Sequence, residues 1–191
     1  YNFDCTEMSK QDAVVDVGED GKVKAFAIEW PDGLSETHFL KLVLKQEDGD
    51  VLSDNFYWLS TSKDVPGEVV DDWRNFDVTP KSAANFKMLN QLPEVAVTAV
   101  TSIDGVGDNV ERSVLLTNDG ESLAFAVRLA IIQGEDGEEA APAFWSENYV
   151  CLLPGETKLV TVDLDPADLN DASPVLEVTG WNIGKVNVLE R

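Results

Sequence analysis

Turn chemistry recurs at short intervals along this chain and leaves room for little except short strands. Gly18-Glu19-Asp20-Gly21, Pro31-Asp32-Gly33, Glu47-Asp48-Gly49-Asp50, Asp104-Gly105-Val106-Gly107-Asp108, Asn118-Asp119-Gly120, Asp136-Gly137 and Pro154-Gly155 all punctuate it. Asp-Gly and Asn-Asp-Gly supply the positive φ that hairpin turns need, and Pro and Gly end regular structure. Between the turns lie apolar segments of strand length. Phe39 to Lys45 alternates, with Leu40, Leu42 and Leu44 as its apolar face. Val23 to Trp30 places Phe26, Ile28 and Trp30 on one face. Ala13 to Val17, Val51-Leu52 and Phe56 to Leu59 also read as strands, as do Val95 to Thr101 and Val110 to Asn118. So do Ala124 to Ile132, Thr157 to Leu164 and Val175 to Asn182, with Val186 to Leu189 extending the last. Phe144 to Leu153 reads as one strand entering a turn, begun by Phe144 and Trp145, apolar from Tyr149 to Leu153 and stopped by Pro154-Gly155-Glu156. One helix is expected, over residues 82–92, capped by Ser82 and stopped by Pro93, with Phe86 and Leu89 on one face.

Seven strands within about 100 residues is the pattern of an immunoglobulin-like sandwich. The chain has 191 residues, 43% of them hydrophobic, which is enough for more than one small core. The fold class expected is all-β: tandem immunoglobulin-like β-sandwiches, the first incomplete, with one short linker helix. The boundaries are 1–63 for the partial sandwich, 64–92 for a packed linker and 93–191 for the second sandwich. Trp73 and Phe76 make that linker too apolar for a free tether. The opening Tyr1-Asn2-Phe3-Asp4 reads as the middle of a strand, so the missing strands are expected ahead of Tyr1.

Fourteen Lys and Arg stand against 36 Asp and Glu, a formal charge of −22. Phosphate binding needs clustered cations, so nucleic acid and anionic membranes are excluded as partners. No apolar run is long enough for a membrane-spanning helix. Cys5 and Cys151 lie far apart, and Cys151 sits in an apolar segment as a small hydrophobe would.

A motif repeats. Phe39-Leu40-Lys41-Leu42, Asp48-Gly49 and Ser53-Asp54-Asn55-Phe56-Tyr57 correspond to Phe125-Ala126-Val127-Arg128-Leu129, Asp136-Gly137 and Ser146-Glu147-Asn148-Tyr149. Asn55 and Asn148 recur at matching places, which predicts a shared job: a side-chain amide holding a bend through backbone bonds.

Longer strings carry a resemblance. They are Leu89-Asn90-Gln91-Leu92-Pro93, Leu123 to Leu129, Trp145-Ser146-Glu147-Asn148-Tyr149-Val150-Cys151-Leu152-Leu153-Pro154-Gly155-Glu156, and Val178-Thr179-Gly180-Trp181-Asn182. The second unit resembles the C-terminal immunoglobulin-like domain of large glycoside hydrolases of the β-galactosidase superfamily. The branch is that of the exo-β-glucosaminidases and mannosylglycoprotein endo-β-mannosidases. Residues 37–60 resemble the end of the preceding sandwich in those enzymes. The resemblance implies that the two catalytic carboxylates belong to an earlier barrel domain, which would be this region's partner. It also implies that no cofactor is needed and that the setting is periplasmic or secreted, in a bacterium. No catalytic site is then expected in this chain, and with 36 acids no pair can be chosen from spacing alone.

Three further sets of residues have two readings each. Trp58, Trp73, Trp145, Tyr149 and Trp181 are either core aromatics or a platform for sugar rings. Trp145, Glu147 and Trp181 are the carbohydrate-binding candidates, because Ser146-Glu147-Asn148 and Asn182 put polar groups beside the indoles. Asp163, Asp165 and Asp168 have the spacing of oxygen ligands for Ca²⁺. They lack the Gly and terminal Glu of an EF-hand, and Pro166 starts a short helical turn instead. The lone His38 is expected as an exposed polar residue, since one His supplies neither a triad nor a zinc set.

Overall fold

The computed structural model describes residues 1–67, 80–106 and 109–189, and only the backbone of 104–106 and 109–111. The linker aromatics Trp73 and Phe76 lie outside the described residues. The chain divides into two compact units, Tyr1–Gln91 and Leu92–Arg191.

The first unit is built on one antiparallel hairpin, β1 (Thr37–Lys45) with β2 (Val51–Ser60). Its ladder runs from Thr37↔Ser60 to Leu44↔Ser53, with an irregularity before Lys45↔Val51. Burial does not follow the expected alternation. Thr37, His38 and Phe39 are buried and the strand becomes steadily more exposed toward Lys45, so Leu44 is 55% exposed while Phe39 is 2%. The reason is that packing partners gather at one end of the hairpin. Phe3 stacks on Phe39, and Phe56 lies 5.5 Å from it, centroid to centroid. The N-terminus joins there too: Tyr1 and Phe39 exchange both backbone hydrogen bonds, each 2.9 Å.

The strands expected at residues 13–17 and 23–30 do not form. Alternation marks a face that could be buried, but a strand also needs a neighbour for its N–H and C=O groups. Phe26, Ile28 and Trp30 are exposed. Gln11 substitutes for a neighbouring strand at one point, its Oε1 accepting from Glu29 N and its Nε2 donating to Ala27 O.

The expected helix shrinks to a 3-10 turn, Lys87–Gln91. Ser82 is not its cap: its hydroxyl donates to Lys63 O and its backbone bridges Val65. Asn85 takes that role, Oδ1 accepting from Lys87 N at 3.1 Å. Asn85 also ties the turn to the hairpin, through Ser60 Oγ, Glu36 and the Thr37 hydroxyl.

The second unit is a sandwich of two four-stranded sheets. One has the order β3 (Val97–Val106), β4 (Asn109–Asn118), β8 (Thr157–Leu164), β6 (Ala143–Trp145). The other has the order β10 (Ile183–Leu189), β9 (Pro174–Gly180), β5 (Ala124–Gln133), β7 (Val150–Leu152). All the paired neighbours run antiparallel. Inward residues of both sheets make one core, including Val114, Leu116, Val127, Leu129, Ile131, Val160, Leu176 and Val178, each no more than 1% exposed. This is the immunoglobulin-like architecture that the turn spacing predicts. Val186 to Leu189 does not extend β9: the chain reverses at Trp181-Asn182, and β10 pairs back along it.

Buried amides fix the corners of this sandwich. Asn118 is fully buried, and its Nδ2 donates to Ser122 O and Leu152 O. Asn182 accepts from Phe125 N and donates to Pro93 O and Leu123 O. Each bond replaces a lost contact with water, so these polar groups are buried without penalty.

Candidate functional site

The stretch from Phe144 to Leu153 is not one strand entering a turn. Phe144 and Trp145 end β6 in one sheet, and Val150 begins β7 in the other. Residues 146–149 carry the chain across. Each polar side chain in the crossing is engaged by the fold. Ser146 Oγ accepts from Thr161 N, and Glu147 pairs with Lys158 at 2.8 Å. Asn148 brackets β5: its Oδ1 accepts from Leu129 N and its Nδ2 donates to Leu129 O, both at 2.9 Å. The amide thus occupies the place of a neighbouring strand's peptide group. Tyr149 follows at φ +56°, a conformation costing a non-glycine residue roughly 1 kcal/mol, which turns the chain into β7.

On β5 the matching irregularity is a bulge between Ala124↔Leu152 and Val127↔Val150, with Ala126 at φ +52°. Beyond Asn148, residues 138–140 continue along the same edge of β5, with Ala140 N donating to Ile131 O and Gln133 N to Glu138 O. One side of β5 is therefore completed in three pieces: a short strand, a side-chain amide and a loop.

Beside the bracket lies a row of alternating charge. Arg128 pairs with Glu139 and, at 3.8 Å, with Glu177, which meets Lys185 at 2.5 Å. Burial lowers the Arg128 pKa, but the Glu139 carboxylate and the Tyr149 hydroxyl more than offset it, so the net shift is upward. Burial pushes the Cys151 thiol up to about 11. Cys5 and Cys151 are not joined in a disulfide.

The three carbohydrate-binding candidates are not assembled into one platform. Trp145 packs partly buried against the core from one sheet. Trp181 sits in the β9–β10 turn of the other, 59% exposed, its ring edge-on to Phe125 and its backbone N–H donating to Phe125 O. Glu147 belongs to the Lys158 pair. Asn182 holds backbone rather than facing a ligand beside Trp181. Trp58 lies in β2 opposite Phe39. Trp73, the remaining candidate, is outside the described residues.

Asp163, Asp165 and Asp168 are not gathered either. Asp163 lies in β8 opposite Phe144, whereas Asp165 caps the 3-10 turn Pro166–Leu169 by accepting from Ala167 N. Among the described residues no three His, Cys, Asp or Glu side chains are grouped so as to hold a metal ion. His38 is buried, not exposed as expected. Its Nδ1 is 3.2 Å from Ser35 O, and Trp30 lies edge-on to its ring. Sequence reading missed Asn118 and Asn182. Asn118 carries a signal, since Asn-Asp-Gly marks a turn, but a buried amide cannot be told from an exposed one by residue type.

Comparison with known proteins gives this architecture a family. Residues 75–183, more than half of the chain, match the family described as the exo-beta-D-glucosaminidase Ig-fold domain. The exo-beta-D-glucosaminidase of Amycolatopsis orientalis is 36% identical over 195 residues, covering 98% of this chain and 18% of that protein. The enzyme of the same description from Hypocrea jecorina is 31% identical over 160 residues, covering 81% of this chain and 17% of its own length. The crystal structure of the Amycolatopsis orientalis exo-chitosanase CsxA superposes with a TM-score of 0.89 at 32% identity, covering all of this chain and 23% of that one. This chain thus spans about a fifth of the length of the curated relatives it matches. The chain belongs to the exo-beta-D-glucosaminidase Ig-fold domain family.

Proposed function

We propose that this chain is the non-catalytic accessory region of a multidomain glycoside hydrolase of the exo-β-D-glucosaminidase type, packing beside a catalytic barrel. One observation carries the reading: the solved relative matches all of this chain with only 23% of its own length. The remaining length is ample for a catalytic domain. The fold suits a scaffold, because its polar side chains at the crossing and corners bond to the chain's own backbone. Direct sugar contact forms no part of this reading, since Ser146, Glu147, Asn148 and Asn182 are already engaged inside the sandwich.

The test compares the 191-residue chain with the full-length parent protein in hydrolysis of p-nitrophenyl β-D-glucosaminide. The parent should turn over and the chain alone should not. Turnover by the chain alone, or none by the parent on glucosaminides and mannosides alike, would overturn the reading.

A further inference from the structure

The outward face of the β3-β4-β8 sheet has a composition at odds with the rest of the chain. Val100 pairs with Leu115, and Leu115 with Leu159, so the three lie in one row across three neighbouring strands. They are 57%, 42% and 62% exposed, while the alternate residues Val114, Leu116, Val160 and Val162 are buried in the core. The rows on either side carry only hydroxyls: Thr98, Thr117 and Thr157 on one, Ser102, Ser113 and Thr161 on the other. These nine positions hold no ionisable side chain, in a chain where 26% of residues are charged. Acids stand at the margin. Asp119 takes the Thr98 hydroxyl at 2.5 Å, and Asp163 lies opposite the exposed Phe144 of β6. An apolar centre, a neutral hydrogen-bonding surround and a charged rim are the anatomy of a protein interface.

We propose that this face is the surface by which the domain docks on the catalytic region of the same polypeptide. The inference rests on the accessory reading above and names its contact. Two observations favour that occupant over a second copy. Two copies would each bring a formal charge of −22, and like charge opposes self-association. In the solved relative the same backbone course is kept within a chain of which it forms 23%, so polypeptide able to cover the face is present there. The partner surface would be apolar at its centre and would offer groups that bond to hydroxyls, not charges.

Hydroxyl-radical footprinting of the 191-residue chain and of the full-length parent tests this. Val100, Leu115 and Leu159 should label about tenfold more slowly in the parent, as expected for the water-excluding centre of an interface. The double variant Leu115→Thr with Leu159→Thr should lower the melting temperature of the parent and leave that of the 191-residue chain unchanged. Equal labelling in a parent that hydrolyses glucosaminides would overturn the docking face and leave the accessory role intact. A parent without glycosidase activity would overturn both. A dimer of the 191-residue chain that Leu159→Thr dissociates would assign the face to self-pairing and also overturn the inference.

Discussion

In the β1–β2 hairpin Leu42 faces Asn55 across a continuous main-chain ladder; in the second unit Leu129 is met by the side chain of Asn148. The residue patterns correspond, Phe to Leu and then Asn followed by an aromatic. The difference lies in one residue. Between Phe39 and Leu42 there are two residues, and between Phe125 and Leu129 there are three. The extra one is absorbed at the bulge around Ala126, and after it the returning chain no longer runs flush with β5. Asn148 spans the gap. A side-chain amide has the donor and acceptor of a peptide group, so it can serve one residue's worth of ladder where the main chain cannot reach. In the hairpin the main chain does reach, and Asn55 is an exposed residue within β2.

That contrast predicts unequal responses at matching positions. The largest difference should come from burial. Leu129 has no exposed surface, and Leu129→Ala should destabilise the second unit by about 3 kcal/mol through lost transfer energy and a cavity. Leu42→Ala, at a half-buried site, should cost less than about 1 kcal/mol. Urea unfolding of each variant would measure both, and similar losses would break the comparison. The next effect concerns the bracket. Asn148→Leu deprives Leu129 N–H and C=O of their partners and should cost about 2 kcal/mol. Asn55→Leu should change stability by no more than about 0.5 kcal/mol. Equal costs would mean that the two amides do the same work after all.

The smallest effect leaves neutral-pH stability alone. Because burial holds the Cys151 thiol near 11, its thiolate should be about one part in a thousand at pH 8. Labelling of Cys151 by a disulfide reagent should stay slow until the pH approaches that value. It should become fast at pH 8 once urea unfolds the chain. Fast labelling of the folded chain at pH 8 would show that β7 does not stay seated on β5. The sign for stability is the same: the neutral thiol favours the fold below pH about 9, and that contribution is lost as the pH rises through about 11.

Strand identity in the second unit was legible because turn chemistry and alternation agreed there at nearly every segment. Ala124 to Ile132 became β5, Thr157 to Leu164 became β8, and Pro166 to Leu169 became the short turn expected. The first unit was read less well. Its alternating segment at residues 23–30 has the pattern but no partner strand among the described residues, and a pattern cannot state whether a partner strand exists. Residues 144–153 misled for a related reason. Their composition suits one strand, yet two short strands in different sheets use the same residues. His38 was read as exposed because one polar residue at a strand start usually is; Trp30 and Ser35 cover it. The role of Asn148 was legible as a bend-holding amide, and its partner Leu129 was not, because that contact depends on the bulge.

The pieced edge of β5 also bears on misassembly. A strand recruits a foreign chain only where several successive N–H and C=O groups stand free in line. Along β5 such a line is interrupted by a bulge, closed by an amide and then occupied by residues 138–140. An intruding peptide would have to displace three unlike elements at once, and it would gain at most a few bonds from any one of them. Losing Asn148 would open the first gap in a row otherwise closed to templated growth. A gap of one residue, the N–H and C=O of Leu129, is too short to seat a foreign strand while β7 and residues 138–140 hold its flanks.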